Sequence, residues 1–310
     1  MNAGFDRLVA AVAEDAARPV PPGLDAVVEA VRARFGPAVA AVLFYGSCLR
    51  TGSLDGVIDL YVLVDAYERV YDRAWLAMAN RLLPPNVFFL SVGSGAESRA
   101  VKVAVYSLDR FERAVRPGAL LPSVWARFAQ PVALVYARDE AARARATKSL
   151  AQAVATAAAH GARLAPAPVD PLELWRTVIR ASYGAELRAE RAGRADEVVD
   201  AFAERYRRLT RPALAAAGIP FAEEDGRLHI TGPRRNARFA WALRRPLGKL
   251  VNLLRLAKAV FTFECGADYL VWKIERHTGL RPALTPWQRR HPLIALPLVA
   301  WRLWRRGVVR

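Results

Sequence analysis

Cysteine is scarce in this sequence, and so are long hydrophobic runs. The two cysteines, Cys48 and Cys265, lie far apart in a chain of 310 residues. They provide neither a disulfide framework nor the spacing of a zinc site, and this usage fits a reducing compartment. No apolar run reaches the roughly 18 residues that a membrane-spanning helix needs, and the first residues carry acids where a secretion signal needs positive charge. We therefore expect a cytoplasmic protein.

Acidic residues are scarce in the last quarter of the chain. The whole sequence has 46 Lys and Arg against 29 Asp and Glu, for a net charge of +17. Residues 233–310 contain 17 of these basic residues and only 3 acidic ones, so most of the excess charge lies there. A concentrated positive region favours an anionic partner, which is either a nucleic-acid backbone or the surface of an acidic membrane.

Apolar periodicity predicts alternating helices and strands in the first half of the chain. Helical spacing is found in three segments, at 5–12, 24–35 and 67–83. Apolar runs typical of strands are found at 41–45, 57–65, 87–92, 101–106 and 132–137. This order predicts an α+β fold with a small mixed sheet flanked by helices.

The second half of the chain is predicted to be mainly helical. An alanine-rich helix at 139–160 and a proline-rich linker at 164–171 precede it, and the short strand predicted at 226–230 is compatible with the wing of a winged helix. We expect three parts, at 1–140, 165–235 and 236–310. Tryptophans and leucines alternate with arginines at 287–306, which is typical of an amphipathic helix at a membrane surface.

The segment AVLFYGSCLRTGSLDGVIDLYVLVD (41–65) contains the most specific chemical signal. A Gly46-Ser47 turn joins two strands, and Asp59 lies near the start of the second strand. Nucleotidyltransferases hold a triphosphate in this way, because backbone N–H groups and a hydroxyl bind phosphate and carboxylates bind the metal. Their usual pattern has two acids separated by a single residue. Here Asp59 matches the second acid, but Val57 stands at the position of the first. Taken alone, the pattern is equally explained by a turn glycine and a capping serine.

Six segments together resemble a particular family. They are FYGSCLR (44–50), VIDLYVLVD (57–65), VKVAVYSLDRF (101–111), ARFAQPV (126–132), ASYGAELR (181–188) and LAKAVFTFECGADYLVWKIERH (256–277). In this order they resemble the blocks of the mitochondrial-type phosphatidate cytidylyltransferases, the peripheral CDP-diacylglycerol synthases. That family has a Tyr-Gly-Ser turn and lacks an acid at the position of Val57. The resemblance implies a nucleotidyltransferase-like sheet and transfer of CMP from CTP to phosphatidic acid, with Mg²⁺.

The resemblance also implies roles for residues of the first three blocks. Tyr45, Gly46 and Ser47 would hold the phosphates of CTP, and Asp59 would bind the metal. Lys102 would neutralise phosphate charge, although an exposed strand lysine explains it as well.

The later blocks imply the rest of the site. Arg127 would bind an anion through two parallel hydrogen bonds, whereas Gln130 stands where the family has a lysine. Glu186 replaces a family aspartate, and Arg188 matches a family arginine. For the metal we expect Asp59 with either Glu186 or Asp55.

Two other functions remain open from the sequence. A nucleotidyltransferase that acts on nucleic acid would also explain the basic C-terminal region, but no RNA-binding module is recognisable and the tryptophan and leucine content favours lipid. We therefore expect no nucleic-acid partner. A divergent or non-catalytic nucleotidyltransferase-fold protein that binds anionic membrane or nucleic acid would explain the departures from the family pattern. The expected location is the cytoplasm, peripherally associated with the inner face of the cell membrane.

Overall fold

The computed structural model describes residues 3–95, 98–186, 193–231 and 237–262, together with Thr285. A five-stranded mixed sheet lies at its centre, with the strand order β3-β4-β2-β1-β5. Only β2 and β4 run parallel, and the other neighbours are antiparallel. The strands are β1 (Val39–Tyr45), β2 (Ile58–Val64), β3 (Asn86–Val92), β4 (Arg99–Ser107) and β5 (Val132–Ala137). The predicted α+β class with a helix-flanked mixed sheet is confirmed.

Eleven α-helices are found in the described part of the chain. They are α1 (Ala3–Ala16), α2 (Leu24–Phe35), α3 (Ser47–Thr51), α4 (Ala74–Leu82), α5 (Leu108–Ala114), α6 (Trp125–Phe128), α7 (Glu140–Leu164), α8 (Pro171–Gly184), α9 (Arg194–Asp200), α10 (Ala203–Ala216) and α11 (Ala237–Thr262). No helix of this part is long and apolar enough to cross a membrane. The basic segment predicted at 287–306 lies outside the described residues.

One local prediction was wrong, and one strand was not predicted. The segment 67–83 is not one helix, because its first turn is a separate 3₁₀ turn, Tyr67–Arg69, whose buried Tyr67 hydroxyl accepts a hydrogen bond from the Ser107 N–H at 2.9 Å. The strand predicted at 226–230 is β7 (Arg227–Ile230), but it pairs with a strand that the sequence did not indicate, β6 (Phe221–Glu224). The side chains of β6 are largely exposed, so β6 lacks the apolar alternation that identifies a strand.

The sheet separates two hydrophobic clusters. Alternate residues of a strand point to opposite faces, and on β4 Val101, Val103 and Val105 enter the smaller cluster with α2, as predicted. Ala104 and Tyr106 face the larger cluster, which continues through α1, α7, α8 and α10. This cluster contains residues from both sides of the proline-rich segment 164–171. The division into three domains stays a prediction.

His160 on the buried helix α7 lies between two tryptophans. Its ring stacks on Trp125 with the centroids 4.8 Å apart and meets Trp241 edge-on at 5.8 Å. The residue is only 6% exposed. Burial, with the nearby charges of Arg244 and Arg163, lowers the pKa of His160 to about 4 from its ordinary 6.5.

This lowered pKa predicts a loss of stability in mild acid. The unfolded chain binds a proton at His160 near pH 6.5, whereas the folded chain binds it only near pH 4. The free energy of unfolding should therefore fall by about 3 kcal/mol between pH 7 and pH 4 on account of this residue, and no further below that. Urea denaturation across this range checks it. His160→Phe should show a shallower pH dependence than the native chain, and equal slopes would contradict the assignment.

Candidate active site

Gly46 shapes the turn at which the site begins. It follows the last residue of β1 and has φ 92° and ψ −155°, a conformation that only glycine adopts readily. A Cβ placed on Gly46 would lie 2.8 Å from Oδ2 of Asp59. The Cys48 thiol donates to the Val57 carbonyl at 3.3 Å and so ties α3 to the start of β2. Because Gly46 has no side chain, the Asp59 carboxylate can lie against the turn.

Asp59 and Lys102 are brought together by strand register. Asp59 lies opposite Tyr45 on β1 and opposite Lys102 on β4. The Lys102 ammonium lies 3.3 Å from Oδ1 of Asp59, and the two side chains are 37% and 21% exposed. This is a solvent-accessible pair, so an incoming anion or cation can compete with it.

Arg127 and Glu186 form the second charged pair of the site. Arg127 lies in α6, and its Nη1 donates to the Tyr45 hydroxyl at 3.4 Å while Nη2 lies 3.8 Å from Oε2 of Glu186. Its guanidinium also lies 5.4 Å from the centre of the Tyr45 ring. Burial, and then the charge of Asp59, raises the pKa of Tyr45 well above its usual value. Tyr45 therefore stays a neutral phenol that can donate as well as accept.

Helix α11 closes the site from the other side. A Cβ placed on Gly248 would overlap the carbonyl oxygen of Ala185, so this glycine allows α11 to approach the residues that follow α8, which include Glu186. Between α11 and the sheet lies a cavity of about 140 Å³. It is lined by Tyr45, Tyr61, Pro85, Val87, Lys102, Ser123, Arg127, Glu186, Asn252, Arg255 and Lys258.

Lys258 anchors α11 beside the cavity. Its ammonium donates to the Leu83 carbonyl, to the Pro85 carbonyl at 2.8 Å and to Oδ1 of Asn86 at 2.9 Å. Burial, and then the charge of Arg255, lowers the pKa of Lys258 to about 7. All three donors of the ammonium are engaged, so Lys258 holds the helix in place.

The structure places most of the predicted site residues at one end of β1, β2 and β4, with Ser47 exposed at the adjoining turn. Asp55 is exposed in the connecting loop and accepts a hydrogen bond from the Ser53 hydroxyl at 2.5 Å. Asp65 lies at the far end of β2 and pairs with Arg138 at 2.5 Å. Arg188 lies outside the described residues.

The site contains two carboxylates, Asp59 and Glu186, and carboxylate oxygen is the kind of ligand that Mg²⁺ prefers. Mg²⁺ is usually held by one or two carboxylates, with waters and substrate phosphates completing its shell. Asp59 has one oxygen on Lys102 and the other beside the Gly46 turn. In the described ranges, no group of three or more His, Cys, Asp or Glu side chains could hold a metal alone. Asp59 and Glu186 are therefore the residues of the site whose side chains have the chemistry of metal ligands.

Sequence reasoning missed the contribution of α11. Asn252, Arg255 and Lys258 recur every third residue and so share one face of the helix. A polar residue at every third position of an otherwise leucine-rich helix is the signal that could have identified them. The sequence alone does not show that this face lies against β3 rather than in solvent.

The Gly46 turn gives a prediction for the site. Gly46→Ala should lower turnover by about 10²-fold or more, because the added methyl displaces Asp59 and a displacement near 1 Å has effects of this size. Gly52→Ala is the matched control. Gly52 also has a positive φ, 69°, but a Cβ there meets nothing within 4 Å. Steady-state kinetics of both variants check the prediction, and similar losses would show that the contact with Asp59 is unimportant.

The arrangement is suited to binding and reacting phosphate anions. It combines a glycine turn, two carboxylates, two cations and a neutral phenol at one end of the sheet. Charge stabilisation by such groups is the main requirement of phosphoryl and nucleotidyl transfer. No protein-family model matches the chain, and no curated protein matches it either.

Proposed function

We propose that this chain is a nucleotidyltransferase that transfers CMP from CTP to phosphatidic acid, giving CDP-diacylglycerol and pyrophosphate at a membrane surface. The observation that carries the proposal is the convergence of Gly46, Asp59, Lys102, Arg127 and Glu186 at one end of the sheet. These residues come from five separate segments of the sequence, and all five segments belong to the blocks that together resemble the cytidylyltransferase family.

The reaction needs no strong general base. A phosphate oxygen of phosphatidic acid, already anionic near neutral pH, attacks the α-phosphorus of CTP, and the bond from that phosphorus to the bridging oxygen of the β-phosphate breaks. Pyrophosphate leaves with the bond electrons. None of the residues that line the cavity is a histidine, which agrees with a mechanism based on positioning and charge.

The chain's own residues have distinct roles in this mechanism. The Gly46 turn and Ser47 bind the triphosphate through backbone N–H groups and the hydroxyl. Lys102 and Arg127 stabilise the negative charge that moves toward the leaving pyrophosphate. Tyr45 orients the Arg127 guanidinium through its hydroxyl and ring. Asp59 and Glu186 would hold Mg²⁺, which when bound supplies Lewis-acid stabilisation of the phosphates.

The fold supports the same proposal at the level of architecture. We propose that the five-stranded sheet is nucleotidyltransferase-like, with the Gly-Ser turn and the metal-binding carboxylate at one end of β1 and β2. We also propose that α8, α9, α10 and the β6–β7 hairpin form a winged helix, since three helices followed by a two-stranded wing have that order.

Helix α11 supports the membrane part of the proposal. Its segment 237–262 contains six basic residues and no acidic one. Large apolar side chains on it are exposed, namely Phe239, Leu243, Leu250, Leu253 and Leu254. A helix of this kind binds an anionic membrane by inserting its apolar side chains while its cations meet the lipid headgroups. We propose that α11 takes part in docking beside the cavity.

A turnover assay tests the proposal directly. The full chain, labelled CTP, Mg²⁺ and phosphatidate-containing vesicles should yield labelled CDP-diacylglycerol, and leaving out phosphatidate or Mg²⁺ should abolish the product. A panel of other nucleoside triphosphates and lipid phosphates defines specificity. No product with any combination would contradict the catalytic assignment. Flotation with phosphatidate vesicles should recover the chain with the lipid, and flotation with neutral vesicles should not.

A further inference from the structure

Three cations line the cavity, namely Lys102, Arg127 and Arg255 of α11. They differ in whether a carboxylate lies nearby. Lys102 pairs with Asp59, and Arg127 lies near Glu186. Within the described ranges no carboxylate lies at ion-pair distance from Arg255. Its Nη1 donates to the Ser123 hydroxyl at 3.1 Å, and its Nε is buried with no hydrogen-bond partner in the described part of the chain.

A half-buried guanidinium whose buried Nε has no partner favours an anionic ligand. Leaving a buried N–H unpaired is unfavourable, and native structures rarely do so without a reason. A guanidinium matches a phosphate especially well, because two of its donors can bind two phosphate oxygens in parallel. Ser123 and the Asn252 amide lie on the same cavity wall and can donate as well.

The neighbouring Lys258 does not compete for such a ligand. It lies three residues further along α11, and its ammonium donates to Leu83, Pro85 and Asn86. Since an ammonium has three donors, Lys258 is fully engaged with the protein. It fixes the helix, so the position of Arg255 is held in advance of binding.

The size of the cavity indicates which phosphate binds there. At about 140 Å³ it is smaller than the roughly 300–1,000 Å³ that is usual for a whole drug-sized ligand. This volume suits a headgroup-sized anion better than a complete nucleotide. Gly46 and Ser47 are not among its lining residues, so the proposed triphosphate site lies beside the cavity.

We propose that Arg255, with Ser123 and Asn252, binds the phosphate monoester headgroup of the acceptor lipid. This inference rests on the proposed function, because it assigns the turn to CTP and the cavity to the second substrate. Arg255 is a binding residue for the acceptor, and Lys102 and Arg127 line the same cavity.

Binding measurements on the full chain test the proposal without requiring turnover. Glycerol 3-phosphate serves as a soluble phosphate monoester without acyl chains, and isothermal titration calorimetry gives its affinity and that of CTP. Arg255→Gln, which keeps much of the side-chain length but loses the charge, should bind glycerol 3-phosphate at least about 10-fold more weakly, while CTP affinity changes less than about twofold. Arg255→Lys should have an intermediate affinity for glycerol 3-phosphate, because lysine keeps the positive charge but lacks the paired N–H donors of the guanidinium.

Arg245→Ala is the matched control, since Arg245 is exposed on the same helix and does not line the cavity. It should leave both affinities unchanged. Equal glycerol 3-phosphate affinity in the native chain and Arg255→Gln would overturn the proposal, as would a native chain that binds none. A matching loss of CTP affinity would assign Arg255 to the nucleotide instead. Tighter binding of inorganic phosphate than of glycerol 3-phosphate would indicate a free-anion site and would also overturn it.

These outcomes separate this inference from the proposed function. If the chain binds glycerol 3-phosphate through Arg255 but makes no CDP-diacylglycerol, the headgroup site is supported and the proposed catalytic activity is rejected. The opposite result is also possible. If the chain is active, and Arg255→Gln changes neither the KM for phosphatidate nor the glycerol 3-phosphate affinity, the proposed activity is supported and the headgroup site is rejected.

Discussion

Asp59→Asn should lower the rate of CDP-diacylglycerol formation by at least about 10³-fold. Asparagine has nearly the same shape as aspartate, so it keeps the packing against Gly46 but removes the negative charge that holds Lys102 and would hold Mg²⁺. A metal contributes several kcal/mol of charge stabilisation, and each 1.4 kcal/mol or so is a factor of ten in rate. Turnover at saturating CTP and phosphatidate, measured for both proteins, checks the prediction.

Asp65→Asn is the control for this experiment. Asp65 follows the same strand, but it lies at the opposite end and pairs with Arg138 at the surface. The substitution is chemically identical, so activity close to that of the native chain is expected. Loss of activity in both variants would point to a general effect of charge or folding. Full activity in Asp59→Asn would remove Asp59 from the site.

Asp55→Ala distinguishes the two sequence-based candidates for a second metal ligand. Asp55 is exposed and bonded to Ser53, whereas the Glu186 side chain is only 8% exposed and lies beside Arg127. Under the proposed mechanism Glu186→Gln should therefore impair turnover more than Asp55→Ala, by about 10-fold or more. A variant pair measured over a range of Mg²⁺ concentrations checks this, and the opposite order would assign the ligand to Asp55.

The sheet could be predicted from the sequence because its signals are local. Buried strands such as 57–65 and 101–106 are continuous apolar runs, and the alternation of Lys102 and Ala104 with the valines gives the two faces. Strand β6 could not be predicted, because its side chains are largely exposed and two of its four residues are acidic, so it lacks the apolar pattern of a strand.

Half of the candidate site could be predicted for the same reason. Gly46 and Asp59 lie in one short motif, and the register that places Lys102 beside Asp59 follows from two adjacent strands. Arg255 could not be predicted, because it lies more than a hundred residues further along and resembles any other arginine on a basic helix. Its position depends on the close approach of Gly248 to Ala185, which is a property of tertiary packing.

The second large effect concerns stability and arises from a buried ion pair between α1 and α10. Nε of Arg205 lies 2.5 Å from Oδ2 of Asp15, and both side chains are about 95% buried, at 6% and 5% exposure. Arg205 also donates to the Ala129 carbonyl at 3.0 Å, and Arg18 donates to the other oxygen of Asp15. The pair therefore joins the first helix of the chain to α10 and to the segment after α6.

Asp15→Ala should lower the free energy of unfolding by about 3–5 kcal/mol, because it leaves Arg205 charged, buried and uncompensated. The double variant Asp15→Leu with Arg205→Met should recover much of this loss, since removing both charges also removes their desolvation cost. Arg207→Ala is the surface control on the same helix. Its pair with Glu204 is exposed, so a change below about 1 kcal/mol is expected. Urea denaturation of the four proteins checks the order. If the double variant is less stable than Asp15→Ala, this expectation is wrong. The attraction within the ion pair would then exceed the free energy needed to bury its two charges.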